Sequence, residues 1–144
     1  LFNFFKEYVS KYKKPINQAK ENILLKSMGF LKNKAKTLED IWNNAQYIIN
    51  DKIEIGADDK KLIDDLSKKV INDFISEYEK LPSLSREVLE PIIKSLIDKH
   101  KTNFKGVGQP LRIALVGSRF GPGIYDVILS LDKATVINRL KKLT

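Results

Sequence analysis

Apolar residues recur every third or fourth position along most of this chain, the spacing of helices that bury one face. Over residues 1–13 that face holds Leu1, Phe4, Phe5, Tyr8, Val9 and Tyr12. Pro15 permits a second helix from about residue 16 to Gly29, with Ile16, Ala19, Ile23, Leu24 and Met28 inward. A basic connector over 30–36 follows. Thr37 and Asp40 have the spacing of a capping box with Asp in place of Glu, so the next helix runs to about Asn50. It buries Leu38, Ile41, Trp42, Ala45 and Ile48 or Ile49. Ile53 to Gly56 reads as a turn. Residues 58–80 then form the longest helix, with Leu62, Leu66, Val70, Phe74 and Tyr78 every fourth residue and Ile63, Ile71 and Ile75 widening the stripe. Pro82 ends it. Residues 85–99 carry Val88, Leu89, Ile92, Ile93, Leu96 and Ile97 inward, with Pro91 kinking the helix or delaying its start. No segment alternates like a strand. The expected fold is all-α, about seven helices in two packed subdomains, 1–56 and 57–144.

Between a polar connection at 99–108 and the C-terminus, the stretch 108–125 holds four of the seven glycines and two of the five prolines. It reads as helix, tight turn, helix. Pro110 is placed in the first turn of a short helix, where its missing N–H costs nothing. Gly117 is placed as a left-handed stop. Pro122 is placed near the start of a helix over about 122–131, with Asp126 in its first turn. Asp132 N-caps a last helix over 133–143, which buries Val136, Ile137 and Leu140. Arg112 and Arg119 stand beside this corner. Its bland reading is a bundle turn with two solvated arginines.

Composition narrows the chemistry. The chain has 144 residues, no cysteine, one histidine (His100) and a formal net charge of +8. Disulfides and thiolate metal sites are excluded, and a Ser-His-Asp triad or a two-histidine zinc site nearly so. The absence of cysteine fits the cytoplasm. No apolar run approaches the roughly 20 residues that span a bilayer, so no membrane partner is expected. The aspartates at 58, 59, 64 and 65 suit helix N-termini better than a metal or acid–base cluster, and no metal site is expected. Trp42, at core spacing, reads as core rather than as a base-stacking platform. Residues 1–35 carry eight basic against two acidic residues, 36–100 ten against fourteen, and 101–144 eight against two. Two basic ends around an acidic middle make one basic face if the ends meet, and a polyanion is the natural partner. A lysine-rich surface preference accounts for the lysine excess equally well.

Residue order goes further. Gln109-Pro110-Leu111-Arg112, Ala114-Leu115 and Gly117-Ser118, then Pro122-Gly123 followed by aliphatic Ile124 and aromatic Tyr125, resembles the C-terminal anticodon-binding part of bacterial glutamyl-tRNA synthetases. A second match is Leu31-Lys32-Asn33-Lys34-Ala35-Lys36-Thr37-Leu38 with Ala45-Gln46-Tyr47. The resemblance covers nearly the whole chain and implies an α-helix cage around the anticodon stem-loop. Arg112 then matches an arginine that reads anticodon bases. Pro122, Gly123 and Ile124 match a segment lining the base pocket, with Gln109 at its rim. Lys34 stands where the family often has arginine at the first anticodon base. Lysine offers one flexible donor point rather than a planar fork, which leaves acceptance of tRNA(Gln) beside tRNA(Glu) open. Lys32, Lys36, Arg119 and Lys141 are candidate contacts to the RNA backbone.

The family's catalytic signatures, His-Ile-Gly-His-like and Lys-Met-Ser-Lys-Ser-like, are absent, as are Rossmann and P-loop spacings. The resemblance thus implies a monomeric tRNA-binding piece that is no enzyme alone and holds no cofactor. ATP and Mg²⁺ would belong to the catalytic domain of the parent glutamate–tRNA ligase. Leu1 in place of methionine fits a piece of a longer protein. Two alternatives stand: the equivalent region of a class I lysyl-tRNA synthetase, and a helical protein-interaction module.

Overall fold

A computed structural model describes residues 1–13, 18–33 and 35–144, with Tyr12 placed only by its backbone. Ile16 and Lys34 therefore lie outside the described residues. The fold is all-α, with ten helices and no strand among the described residues. Two compact units divide it, Leu1–Lys52 and Ile53–Thr144.

In the first unit lie α1 (Phe2–Tyr12), α2 (Gln18–Leu31), α3 (Leu38–Asn44) and α4 (Gln46–Ile49). The Thr37–Asp40 capping box forms in both directions: Thr37 Oγ1 accepts from the Asp40 N–H, and Asp40 Oδ2 accepts from the Thr37 N–H. The one helix expected over 37–50 is two. Its N–H ladder tightens at buried Ala45, which donates to both the Ile41 and Trp42 carbonyls. The resulting bend buries adjacent Tyr47 and Ile48 together. Phe5, Val9, Leu24, Met28, Leu31 and Ile41 complete the core. Ala19 is exposed and Trp42 only half-buried, against the expectation for both. Trp42 instead presents its ring to Lys13 Nζ, 5.8 Å from the centroid.

The second unit is organised on α8 (Phe104–Val116). Packed on it are α6 (Asp65–Glu79), α7 (Arg86–Lys99), α9 (Ile124–Ser130) and α10 (Lys133–Lys141), while α5 (Ala57–Lys60) is a single turn. Val107, Gly108, Pro110, Leu111, Ile113, Ala114 and Leu115 are all buried, as a helix covered on several sides requires. Each large apolar side chain so buried contributes about 1.5–3 kcal/mol.

Three expectations fail here, each for a local reason. The helix over 58–80 is interrupted, because the Asp64 carboxylate accepts from the Ser67 N–H at 2.8 Å and starts α6 afresh. Leu62 and Leu66, upstream of that restart or at its edge, are exposed. Pro110 lies inside α8 rather than in its first turn. Asn103 caps that helix seven residues earlier, Oδ1 accepting from the Gly106 N–H at 2.8 Å. The internal proline costs about 3 kcal/mol, which the burial around it outweighs. Pro122 precedes α9 instead of opening it, since Gly123 is still extended at φ −57°, ψ 147°.

Other features are as the pattern indicates. Gly117 ends α8 at φ 91°, and Asp132 caps α10, accepting from the Thr135 N–H at 2.7 Å. On α10, Val136 and Leu140 are buried and Ile137 half-buried, and the inward place goes to Arg139. Only 4% exposed, Arg139 donates from Nη1 to the Leu115 carbonyl at 2.7 Å, satisfying an acceptor at the open end of α8.

Candidate nucleic-acid interface

Phe104, Lys105, Gly108, Gln109 and Arg112 follow each other at helical spacing along one side of α8. Together with Leu62, Arg119 and Phe120 they line a cleft of about 580 Å³ in the second unit. Three cations and a primary amide share it with three apolar side chains. No carboxylate lies among its lining residues.

Arg112 is its most constrained member. One face of α8 packs on the core, so the guanidinium is half-buried. Nη1 donates to the Arg119 carbonyl at 3.2 Å, whereas Nε is buried without a hydrogen-bond partner among the described residues. Burial holds the Arg112 pKa below the ordinary arginine value, yet a guanidinium remains charged at neutral pH. A buried, charged donor left unpaired costs more than 1–3 kcal/mol, the usual penalty for a neutral group. Any acceptor entering the cleft must bind through the rest of the guanidinium, since Nε itself is closed to solvent.

Arg119 is placed from the other side. Its N–H donates to Asp59 Oδ1 at 3.4 Å, and its Nε lies 3.5 Å from the same oxygen. Asp59 is therefore a strut for the 117–123 segment. The guanidinium also sits 5.1 Å from the centroid of the Phe120 ring. Phe120 is 70% exposed, and its N–H donates to Ser118 Oγ at 3.0 Å.

The sequence-based candidates separate into groups. Gln109, Arg112 and Arg119 meet on the cleft. Pro122 and Gly123 do not line it, and Ile124, 1% exposed, is core rather than pocket wall. Ile124 begins α9, where its side chain packs towards Gly108 of α8. Lys141 is exposed, with Nζ 3.8 Å from Glu79 Oε1. In the first unit, exposed Lys32 and Lys36 border a separate depression of about 630 Å³ with Asn33, Thr37 and Ile41. The Lys36 N–H there already donates to Asp40 at 2.9 Å.

Phe104, Lys105 and Phe120 escaped the sequence reading, as did the strut role of Asp59. The first two lie in the stretch 99–108, which reads as a polar connection but contains the first turn of α8. Phe120 did carry a signal, an aromatic inside a glycine-rich turn. Among the described residues no three His, Cys, Asp or Glu side chains are grouped to hold a metal, and no helix is long and apolar enough to cross a membrane.

Comparison with known proteins adds to this geometry. A glutamate–tRNA ligase from Pelagibacter ubique is 51% identical over 140 residues, 97% of this chain and 30% of that protein. One from Nitrobacter winogradskyi is 31% identical over 129 residues, 89% of this chain and 27% of that protein. The chain thus spans less than a third of these relatives. A crystal structure of a glutamate tRNA ligase from Elizabethkingia meningosepticum, in complex with its amino acid, superposes with a TM-score of 0.80. It covers 99% of this chain and 28% of its own at 22% identity, a likeness of fold. The family model described as the anticodon binding domain matches residues 3–144, nearly the full length, and the chain belongs to that family.

Proposed function

We propose that this chain binds the anticodon arm of tRNA(Glu) for a glutamate–tRNA ligase whose catalytic domain, with its ATP and Mg²⁺, lies outside these residues. Residues 1–56 and 57–144 act as two helical subdomains of a monomeric, cytoplasmic enzyme. The observation that carries the reading is Arg112: a half-buried guanidinium lining a cleft that has no carboxylate among its lining residues, in a chain of the anticodon-binding family. The names of the relatives favour glutamate over the lysyl alternative.

The chemistry follows from the donors. Loop bases are read on their edges once unstacked. Nη1 of Arg112 is held by the Arg119 carbonyl, which orients the remaining donors of the planar fork. A base carbonyl or ring nitrogen can then accept from Arg112, with the Gln109 amide completing the edge. Pro122 and Gly123 remain proposed as backbone contacts beside the cleft, and Ile124 supports them from the core. Lys34 contacts the first anticodon base with a flexible ammonium in place of a planar fork, which leaves acceptance of tRNA(Gln) beside tRNA(Glu) open. Lys32, Lys36, Arg119 and Lys141 supply phosphate contacts.

The test compares binding of tRNA(Glu) and anticodon-swapped transcripts at matched salt. Arg112→Ala should lose about 1–3 kcal/mol of discrimination, the value of a bidentate base contact, after thermal melting has established that the variant folds. Lys141→Ala should weaken every tRNA alike and reduce the salt slope by about one contact. Equal weakening of all transcripts by Arg112→Ala would reduce that residue to a phosphate anchor. Absence of salt-dependent tRNA binding by the wild type would refute the reading.

A further inference from the structure

We propose that Phe120 is a stacking platform for one unpaired nucleotide of the bound loop, positioned by Arg119 and Asp59. This inference rests on the RNA-binding reading above. At 70% exposure, Phe120 is the most exposed of the large apolar side chains among the described residues. Single exposed apolar residues are common and need no function, so exposure alone carries nothing. Three further observations distinguish this one.

The residue is held. Its N–H donates to Ser118 Oγ, and the preceding residue is tied to Asp59 through both its N–H and its Nε. The Arg119 carbonyl also accepts from Arg112. An aromatic ring on a tethered turn loses less freedom on binding than one on a loose loop. The ring also carries a guanidinium 5.1 Å from its centroid. Arg119 and Phe120 thus form a cation–π pair, the pairing of planes on which bases stack in single-stranded RNA sites. Finally, the ring opens on the same cleft as Lys105 and Arg112, with half-exposed Phe104 also on its wall. Cations draw the phosphodiester chain while the aromatic takes the face of a base. Arg112 takes an edge. The charge of the cleft suits RNA better than an apolar protein segment.

Stacking is sequence-tolerant, because every base has a π face. Phe120 therefore contributes affinity while Arg112 contributes choice. The probe is the anticodon stem-loop RNA of tRNA(Glu), with 2-aminopurine placed at each loop position in turn, titrated with the full 144-residue chain. Its fluorescence is quenched on stacking. Phe120→Ala should weaken binding about 5- to 150-fold, the span of base–aromatic stacking, and restore fluorescence at one loop position at saturating protein. Phe120→Tyr should retain wild-type affinity and quenching. The salt slope should not change in either variant, since no phosphate contact is lost. Exposure of the side chain means that neither variant should lower the melting temperature.

Wild-type affinity in Phe120→Ala, or equal weakening by Tyr and Ala, would overturn the inference. If Arg112→Ala still weakens binding in the first case, the platform fails and the RNA-binding reading survives. If the wild-type chain does not bind the stem-loop in a salt-dependent way, both fall together.

Discussion

Gly117→Ala should be among the most damaging single substitutions in the second unit, although it adds one methyl group. Gly117 closes α8 at φ 91°, donating its N–H to the Ile113 carbonyl at 2.9 Å. An L-residue in the left-handed region costs about 1–2 kcal/mol. The added Cβ would also sit 2.5 Å from the Glu54 carbonyl oxygen. That oxygen is backbone and cannot rotate away, so the segment around Glu54 or the end of α8 must shift. Forcing a methyl group into occupied space costs about 1–3 kcal/mol. Lower freedom of the unfolded alanine chain returns about 0.4–1 kcal/mol. The net loss is about 1–4.6 kcal/mol. Urea denaturation followed by circular dichroism measures it, and for a unit of this size the melting temperature should fall by at least about 4 °C. Gly121→Ala is the control. Gly121 also has positive φ, at 147°, but its added Cβ would meet only Val116 Cγ1 at an ordinary 3.5 Å. Its loss should therefore be the smaller, strain without collision. The reasoning is refuted if Gly117→Ala stays within about 0.5 kcal/mol of the wild type, the range of an ordinary surface change, or if Gly121→Ala costs more.

Gly29→Ala should do the opposite and stabilise the first unit by about 0.5–1 kcal/mol, since Gly29 lies in α2 and an added Cβ would meet nothing within 4 Å; a lower urea midpoint would contradict this. Acid should destabilise the chain. Asp64 has its pKa lowered by hydrogen bonds from the Ser67 N–H and hydroxyl, and Asp73 is also lowered: burial raises it, but Lys99 and His100 more than offset that. A carboxylate whose folded pKa is depressed contributes stability that is complete above its unfolded pKa of about 3.9 and lost as pH falls through the folded value. Urea midpoints should thus be steady from pH 7 to about 5 and fall below about 4; Asp64→Asn, which keeps an N-cap acceptor, should hold neutral stability and flatten that fall, and an unchanged acid limb in the variant would count against the cap.

Much of the fold was legible in the sequence because its signals are local. Helical spacing identified the buried faces of α6 and α7, and on α1 Phe5 and Val9 but not Leu1 and Phe4, which are exposed; capping chemistry identified Thr37–Asp40, Asp132 and the left-handed Gly117. Arg112 and Gln109 stood out through residue order alone. What failed was the ranking of competing local signals. Asp64 and Leu66 both belong to plausible helical patterns, and only the cap that Asp64 makes by accepting from the Ser67 N–H shows that the helix restarts at Asp65. Pro110 reads as a helix start until burial on several sides of α8 makes an internal proline tolerable. Periodicity likewise does not rank Ile137 against Arg139; the nearby Leu115 carbonyl, which needs a donor, draws the arginine inward.

The cleft itself belongs to the tertiary structure. Asp59, Arg112 and Arg119 are joined across sixty positions of sequence by two hydrogen bonds and an ion pair, and no spacing rule connects α5 to a turn so far along the chain. The sequence by itself determined the all-α class, the approximate place of most helices and most of the residues with the chemistry to meet an RNA base. Only packing decided which of them share a surface. Ile124 was drawn into the core beside Gly108 and lost its place on the wall, while Phe120 stayed in solvent on the wall of the cleft.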